Sequence, residues 1–168
     1  ALCLSLFLMP KFIVWARGKN AKQPIYEYAP DTHQSKGGTP TMGGVVFVFC
    51  ALVASLLCVK FDTILVIMAL LCLVLFCAVG LVDDLKKVLK KDNHSGLSAR
   101  GKMLLLIIVS LVCVLPLYMS GAINSQLFVP FYKYPLFDMG AFIVVFWVLV
   151  MISSSNAVNL TDGLDGLA

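Results

Sequence analysis

The chain has 168 residues, of which 60% are apolar and only 13% charged, with a mean hydropathy of +0.95. Small soluble domains need proportionately more polar covering than large ones and carry about 25% charged side chains, so a soluble fold is excluded and an integral membrane protein expected. The net charge of +4 does not point to nucleic acid, because the basic residues lie in short segments between apolar runs and not on one face of a domain.

A helix needs about 20 apolar residues to cross a bilayer. In chain order, residues 1–15 are long enough only for the end of a span, and Pro10-Lys11 interrupts them, so no cleavable leader is read there. A basic loop follows at 16–41, then apolar segments at 42–59 and 63–82. A second basic loop occupies 83–102, and apolar segments return at 103–119 and 139–158. The expectation is an all-α, polytopic helical membrane protein with about five spans, forming one partial transmembrane domain. The missing initiator Met and the uncapped end at Asp165-Gly166-Leu167-Ala168 add the expectation of a partial chain.

Orientation follows from the loop cations. Of the 13 Lys and Arg, only Lys60 and Lys133 fall outside the stretches 11–36 and 86–102. Loops 16–41 and 83–102 are therefore expected in the cytoplasm, with the turn near Lys60 and the loop 120–138 outside. Alternation puts the end of the fifth span in the cytoplasm as well. Cys3, Cys50, Cys58, Cys72, Cys77 and Cys113 lie in apolar stretches without a CxxC and read as small hydrophobes, not as a disulfide framework.

The polar clusters all fall at cytoplasmic membrane ends. The first, residues 36–44, holds Lys36, Gly37, Gly38, Pro40, Gly43 and Gly44 just before a span. Glycines allow close backbone approach, and a helix start attracts phosphate. The order is not that of a Walker A loop, and a flexible turn with Gly43 and Gly44 serving helix packing fits equally well. The second cluster is Asp83-Asp84, directly after the apolar run 70–82. An anionic pair at a membrane edge is a site candidate; it suits Mg²⁺ with attached phosphates, or proton removal from an acceptor. The plainer alternative has these acids end the helix at the water interface beside Lys86 and Lys87, where they would oppose the macrodipole.

The third cluster spans residues 156–166. Asn156, Asn159, Asp162 and Asp165 recur every third residue, which on a helix puts successive groups at neighbouring positions. Gly163 and Gly166 can end that helix and offer backbone N–H groups. Such a row can hold a metal, a ribose or a base edge; the alternative is a helix end with Asx turns. His33 and His94 show no ligand spacing, and Trp15 and Tyr118 read as interfacial anchors.

Several of these motifs together resemble the phospho-N-acetylmuramoyl-pentapeptide transferases of the polyprenyl-phosphate sugar-1-phosphate transferase superfamily. The resemblance is carried by His33-Gln34-Ser35-Lys36 through Gly44, by Val82-Asp83-Asp84 with Lys87, by Gly96-Leu97-Ser98-Ala99-Arg100-Gly101-Lys102, and by the block from Asn156 to Ala168. It implies a bacterial inner-membrane enzyme of about ten spans, of which this chain would be the N-terminal half. The implied reaction moves phospho-MurNAc-pentapeptide from UDP-MurNAc-pentapeptide to undecaprenyl phosphate, releasing UMP and lipid I with Mg²⁺ as cofactor. The active site would face the cytoplasm in contact with membrane lipid, and a homodimer is compatible.

Carried over by position, Asp83 and Asp84 would be the catalytic acids. Lys36, Lys87 and Lys102 would face phosphates. Asn156, Asp162, Gly163, Leu164 and Asp165 would bind substrate, and Asn159 would be the Mg²⁺ ligand. The chain departs mildly from the family pattern at Leu85-Lys86, Ala29 and Thr32. The family's third aspartate and its histidine cluster are not among these residues, so residues 1–168 alone are expected to be inactive.

Three rivals are weighed. A sister transferase would move GlcNAc-1-phosphate from UDP-GlcNAc to a polyprenyl phosphate. An intramembrane prenyltransferase is echoed by Asp83-Asp84, but Lys87 stands where DDxxD needs an acid. An ion- or proton-coupled transporter would carry its charges near the membrane middle, whereas these sit at one edge.

Overall fold

The computed structural model describes residues 1–18, 42–90 and 96–161, with backbone alone for Lys90 and residues 159–161. These residues form five helices and one two-stranded ladder: α1 Leu2–Gly18, α2 Gly44–Cys58, α3 Ile64–Lys90, α4 Ala99–Met119, β1 Gln126–Leu127, β2 Phe137–Asp138 and α5 Phe142–Thr161. The protein is thus mostly helical. Two helices, over Ile64–Leu89 and Ala99–Met119, are long and apolar enough to cross a membrane; Gly44–Cys58 and Phe142–Val158 are shorter apolar helices.

The ends of these helices depart from the sequence expectation in instructive ways. Asp83 and Asp84 do not end α3, which runs on to Lys90. The continuation is supported by Lys87, which pairs with Asp83 four residues earlier and reaches Asp84 three earlier. At about 1.5 Å per residue the 27-residue helix is about 40 Å long, against a hydrocarbon core of about 30 Å. Its uncharged part, residues 64–82, is long enough for the core without the charged turns from Asp83 onward.

Helix α4 starts at Ala99, ahead of the apolar run, because Ser98 caps it. The Ser98 Oγ accepts the Gly101 N–H at 3.2 Å and its carbonyl accepts the Lys102 N–H at 2.8 Å. Helix α5 starts at Phe142, after a turn in which Asp138 Oδ1 accepts the Gly140 N–H at 2.8 Å and Gly140 takes a φ of +52°.

The ladder corrects the all-α expectation in one small place. Gln126 pairs with Asp138 and Leu127 with Phe137, antiparallel. Pro130 and Pro135 forbid a helix between them, while Phe128, Val129, Tyr132 and Tyr134 favour extended backbone. Phe131 lies in the left-handed region at φ 71°.

The helices group into two compact units, residues 1–60 with 73–102, and residues 61–72 with 103–168. In the first, α1 packs on α2, and Ser5, Ala16, Val46, Cys50, Val79 and Asp83 are buried. In the second, Leu106, Val109, Ser110, Cys113 and Val114 form one buried stripe of α4 at helical spacing. Ile143, Val144, Val148 and Ile152 are the buried positions of α5. Much of the remaining apolar surface, including Val14, Phe47, Leu57, Leu65, Leu104 and Leu149, points outward. Lipid as solvent makes that arrangement stable where water would not.

Candidate active site

Asp83 is the one acidic side chain among the buried residues described, and its burial comes with a complete set of donors. Lys87 Nζ, one turn further along α3, donates to Oδ2 at 2.8 Å. Lys102 Nζ, from the first turn of α4, reaches the same oxygen at 3.5 Å. The Leu97 backbone N–H donates to Oδ1 at 2.8 Å. Burial by itself pushes the carboxyl upward, but Lys87, the Leu97 N–H and the Lys102 charge together outweigh it and hold Asp83 below the usual carboxylate range. Asp83 is thus an anion at neutral pH, shared between two ammonium groups.

Its neighbour differs. The Asp84 side chain is 38% exposed against 7% for Asp83, and its Oδ1 lies 3.9 Å from Lys87 Nζ. A tightly held carboxylate and a more open one therefore stand side by side just beyond the apolar part of α3. Lys87 and Lys102, at 28% and 20% side-chain exposure, retain faces open to solvent. Two ammonium groups beside an accessible carboxylate can receive anionic phosphate esters and take up a proton.

The turn before α4 builds this arrangement. Gly96 brings the chain against Asp83, Leu97 supplies its N–H, Ser98 starts the helix, and Lys102 in the helix's first turn points back to the carboxylate. Of this run, sequence reasoning assigned a role to Lys102 alone. Gly96, the Leu97 amide and the Ser98 cap went unassigned, although a Ser followed by a helical run is itself a readable start signal.

Of the sequence-predicted residues, then, Asp83, Asp84, Lys87 and Lys102 come together. Asn156 belongs to the second unit, where its Nδ2 donates to Met103 Sδ at 3.6 Å. Asn159 lies on α5, but its side chain is outside the described residues, as are Lys36, Asp162, Gly163, Leu164 and Asp165 entirely. Gly43 and Gly44 precede and open α2. A Cβ at Gly43 would make only ordinary contact with Met9, and one at Gly44 would meet nothing within 4 Å, so neither is required by packing among the described residues.

Among the described residues no three His, Cys, Asp or Glu side chains gather as a metal would need. Both Asp83 oxygens already accept hydrogen bonds. The described side chains therefore do not by themselves compose a magnesium site.

Known proteins resemble this chain along its whole length. The model of glycosyl transferase family 4 matches residues 64–168. The phospho-N-acetylmuramoyl-pentapeptide-transferase signature 1 matches residues 36–48. The chain is 70% identical over all its 168 residues to the phospho-N-acetylmuramoyl-pentapeptide-transferase of Campylobacter jejuni, covering 48% of that protein. It is 63% identical to that of Campylobacter lari, covering 47%, and 55% identical to that of Campylobacter curvus, covering 48%, each over the whole chain. It spans about half the length of the curated relatives it matches. Because the family match runs over more than half of its residues, the chain belongs to glycosyl transferase family 4.

Proposed function

We propose that this chain carries part of the active site of a phospho-N-acetylmuramoyl-pentapeptide transferase. In that reaction an oxygen of undecaprenyl phosphate attacks the sugar-bearing phosphorus of UDP-MurNAc-pentapeptide. The bond from that phosphorus to the UMP oxygen breaks, giving lipid I and UMP. The observation that carries the reading is the Asp83–Asp84 pair bracketed by Lys87 and Lys102 just beyond the apolar part of α3.

The chemistry requires such a place. The acceptor phosphate sits at headgroup level and the donor arrives from water, so the two meet at a membrane edge. Phosphate attacking phosphate crowds negative charge, and Lys87 and Lys102 offset it as cations do at other phosphoryl-transfer sites. Asp84, the more exposed acid, is the proposed acceptor of the lipid phosphate's proton. Asp83 holds the lysines in place and shares the catalytic position. Lys36, Asn156, Asp162, Gly163, Leu164 and Asp165 complete the substrate contacts in this proposal. Mg²⁺ is the proposed cofactor, with Asn159 as its protein ligand, and supplies charge neutralisation between phosphates. The proposed location is the bacterial inner membrane with loops 16–41 and 83–102 in the cytoplasm.

The test uses the full-length protein in detergent with undecaprenyl phosphate and Mg²⁺, following UMP release from UDP-MurNAc-pentapeptide and from UDP-GlcNAc. Release from the muramoyl donor alone, reduced about 10²-fold or more in Asp84→Asn, is the expected result. Release from UDP-GlcNAc alone would move the protein to the sister activity, and no UMP from either would end the transferase reading.

A further inference from the structure

Gly96 stands where a side chain would have to displace its neighbours. A Cβ built on it would lie 2.6 Å from Asp83 Oδ1 and 2.9 Å from Lys87 Cε, both closer than real contacts permit. The crowding that a side chain would meet there is what the glycine answers. The Lys87 stem can bend away from an intruding methyl group. The Asp83 carboxylate cannot, because it is buried and held at both oxygens.

We propose that Gly96 is a positioning residue of the transfer reaction: its bare backbone lets the Leu97 N–H dock on Asp83 Oδ1, and the docked carboxylate fixes where the Lys87 and Lys102 ammonium groups meet the anionic substrates. The inference rests on the transferase reading above. The Leu97 amide orients the carboxylate, and orientation decides whether Oδ2 lies between the two lysines. Lys102 is the sensitive partner, since at 3.5 Å it holds Oδ2 more loosely than Lys87 does at 2.8 Å. A wedge of one carbon atom at Gly96 would push the turn from α3 and carry the start of α4, with Lys102, away from Oδ2.

Ser98 serves the same device from the other side. Its cap to the Gly101 N–H holds the turn to the helix that bears Lys102. Ser98→Ala removes an atom and adds none, so it loosens the turn without any clash.

The experiment compares full-length wild type, Gly96→Ala and Ser98→Ala in UMP release from UDP-MurNAc-pentapeptide across the acid half of the pH range, with thermal unfolding in the same detergent. Gly96→Ala is expected to lower kcat/KM by about 10²-fold. Ser98→Ala should lower it roughly fivefold, the size of a lost cap. In both, the acid limb of the profile moves to higher pH, because Asp83 loses the donors that keep it ionised. Because stability itself falls in acid, the folded fraction read by thermal unfolding at each pH is divided out of the rate before the limbs are compared, and the shift must survive that division.

Wild-type kinetics in Gly96→Ala, or an unmoved limb in both variants, overturns the proposal. Should Gly96→Ala fail to fold, Ser98→Ala decides alone, and an unmoved limb there overturns it. A wild-type protein that releases no UMP from any nucleotide sugar ends the transferase reading and the catalytic role of Gly96 with it. The clamp itself is then read separately, as faster hydrogen exchange of the Leu97 amide in Gly96→Ala than in wild type.

Discussion

Adjacent acids in one helix, Asp83 and Asp84, have separate fates because 100° of helix rotation turns one toward the α4 start and the other toward solvent. Substitution should separate them. Asp83→Ala strands two lysines and a backbone N–H, and should cost about 1–3 kcal/mol of stability, less than a fully buried ion pair because both ammonium groups keep solvent contact. Asp84→Ala should cost under about 1 kcal/mol. Thermal unfolding of the full-length protein compares the two directly, and equal losses would refute the distinction.

The same residue makes acid sensitivity predictable. The folded state depresses the Asp83 pKa, so the unfolded or opened state binds the proton more tightly. The stabilisation is therefore complete above the ordinary carboxylate range and is lost as pH falls through the lowered folded value. Leu97 amide exchange, corrected for its intrinsic pH dependence, should stay protected at neutral pH and lose protection on acidification. Protection unchanged in acid would show that the carboxylate charge does not hold the turn.

At the scale of the element, α4 combines three tasks: a capped start that aims Lys102, an apolar body able to span a membrane, and a buried stripe within the second unit. That stripe includes Ser110, whose Oγ is fully buried and has no hydrogen-bond partner among the described residues. An unsatisfied hydroxyl costs about 1–3 kcal/mol of desolvation. Ser110→Ala should therefore leave the melting temperature unchanged or raise it. A clear fall would mean that the hydroxyl is satisfied elsewhere in the whole protein.

Element existence was largely legible in the sequence, since long apolar runs leave little choice between helix and loop. Element ends were less so. The charged turns of α3 look like loop by hydropathy, yet the Lys87 pairings carry the helix through to Lys90. The Gln126–Asp138 ladder escaped because two-residue strands have no period to detect.

At the scale of the molecule, the asymmetry of loop cations makes a topological prediction. In a cysteine-free background of the full-length protein, Asp62→Cys should react with an impermeant maleimide from outside intact cells. Arg100→Cys should react only after permeabilisation. The reverse pattern would invert the protein and place the acid pair on the side away from the proposed nucleotide donor.

What the sequence determined alone is the apolar environment and the identity of the charged groups. Apolar composition specifies a lipid environment, and contiguous motifs name the charged groups that end each apolar run. Neither depends on how distant segments meet. Tertiary structure decided which of two neighbouring aspartates is buried and which is open. It also decided why position 96 is glycine. Both answers require a turn 13 to 19 residues further along the chain to fold back on α3 and deliver an N–H and a lysine to one carboxylate. That contact is nonlocal, its energy arises only when desolvation and three donors act together, and no local periodicity encodes it.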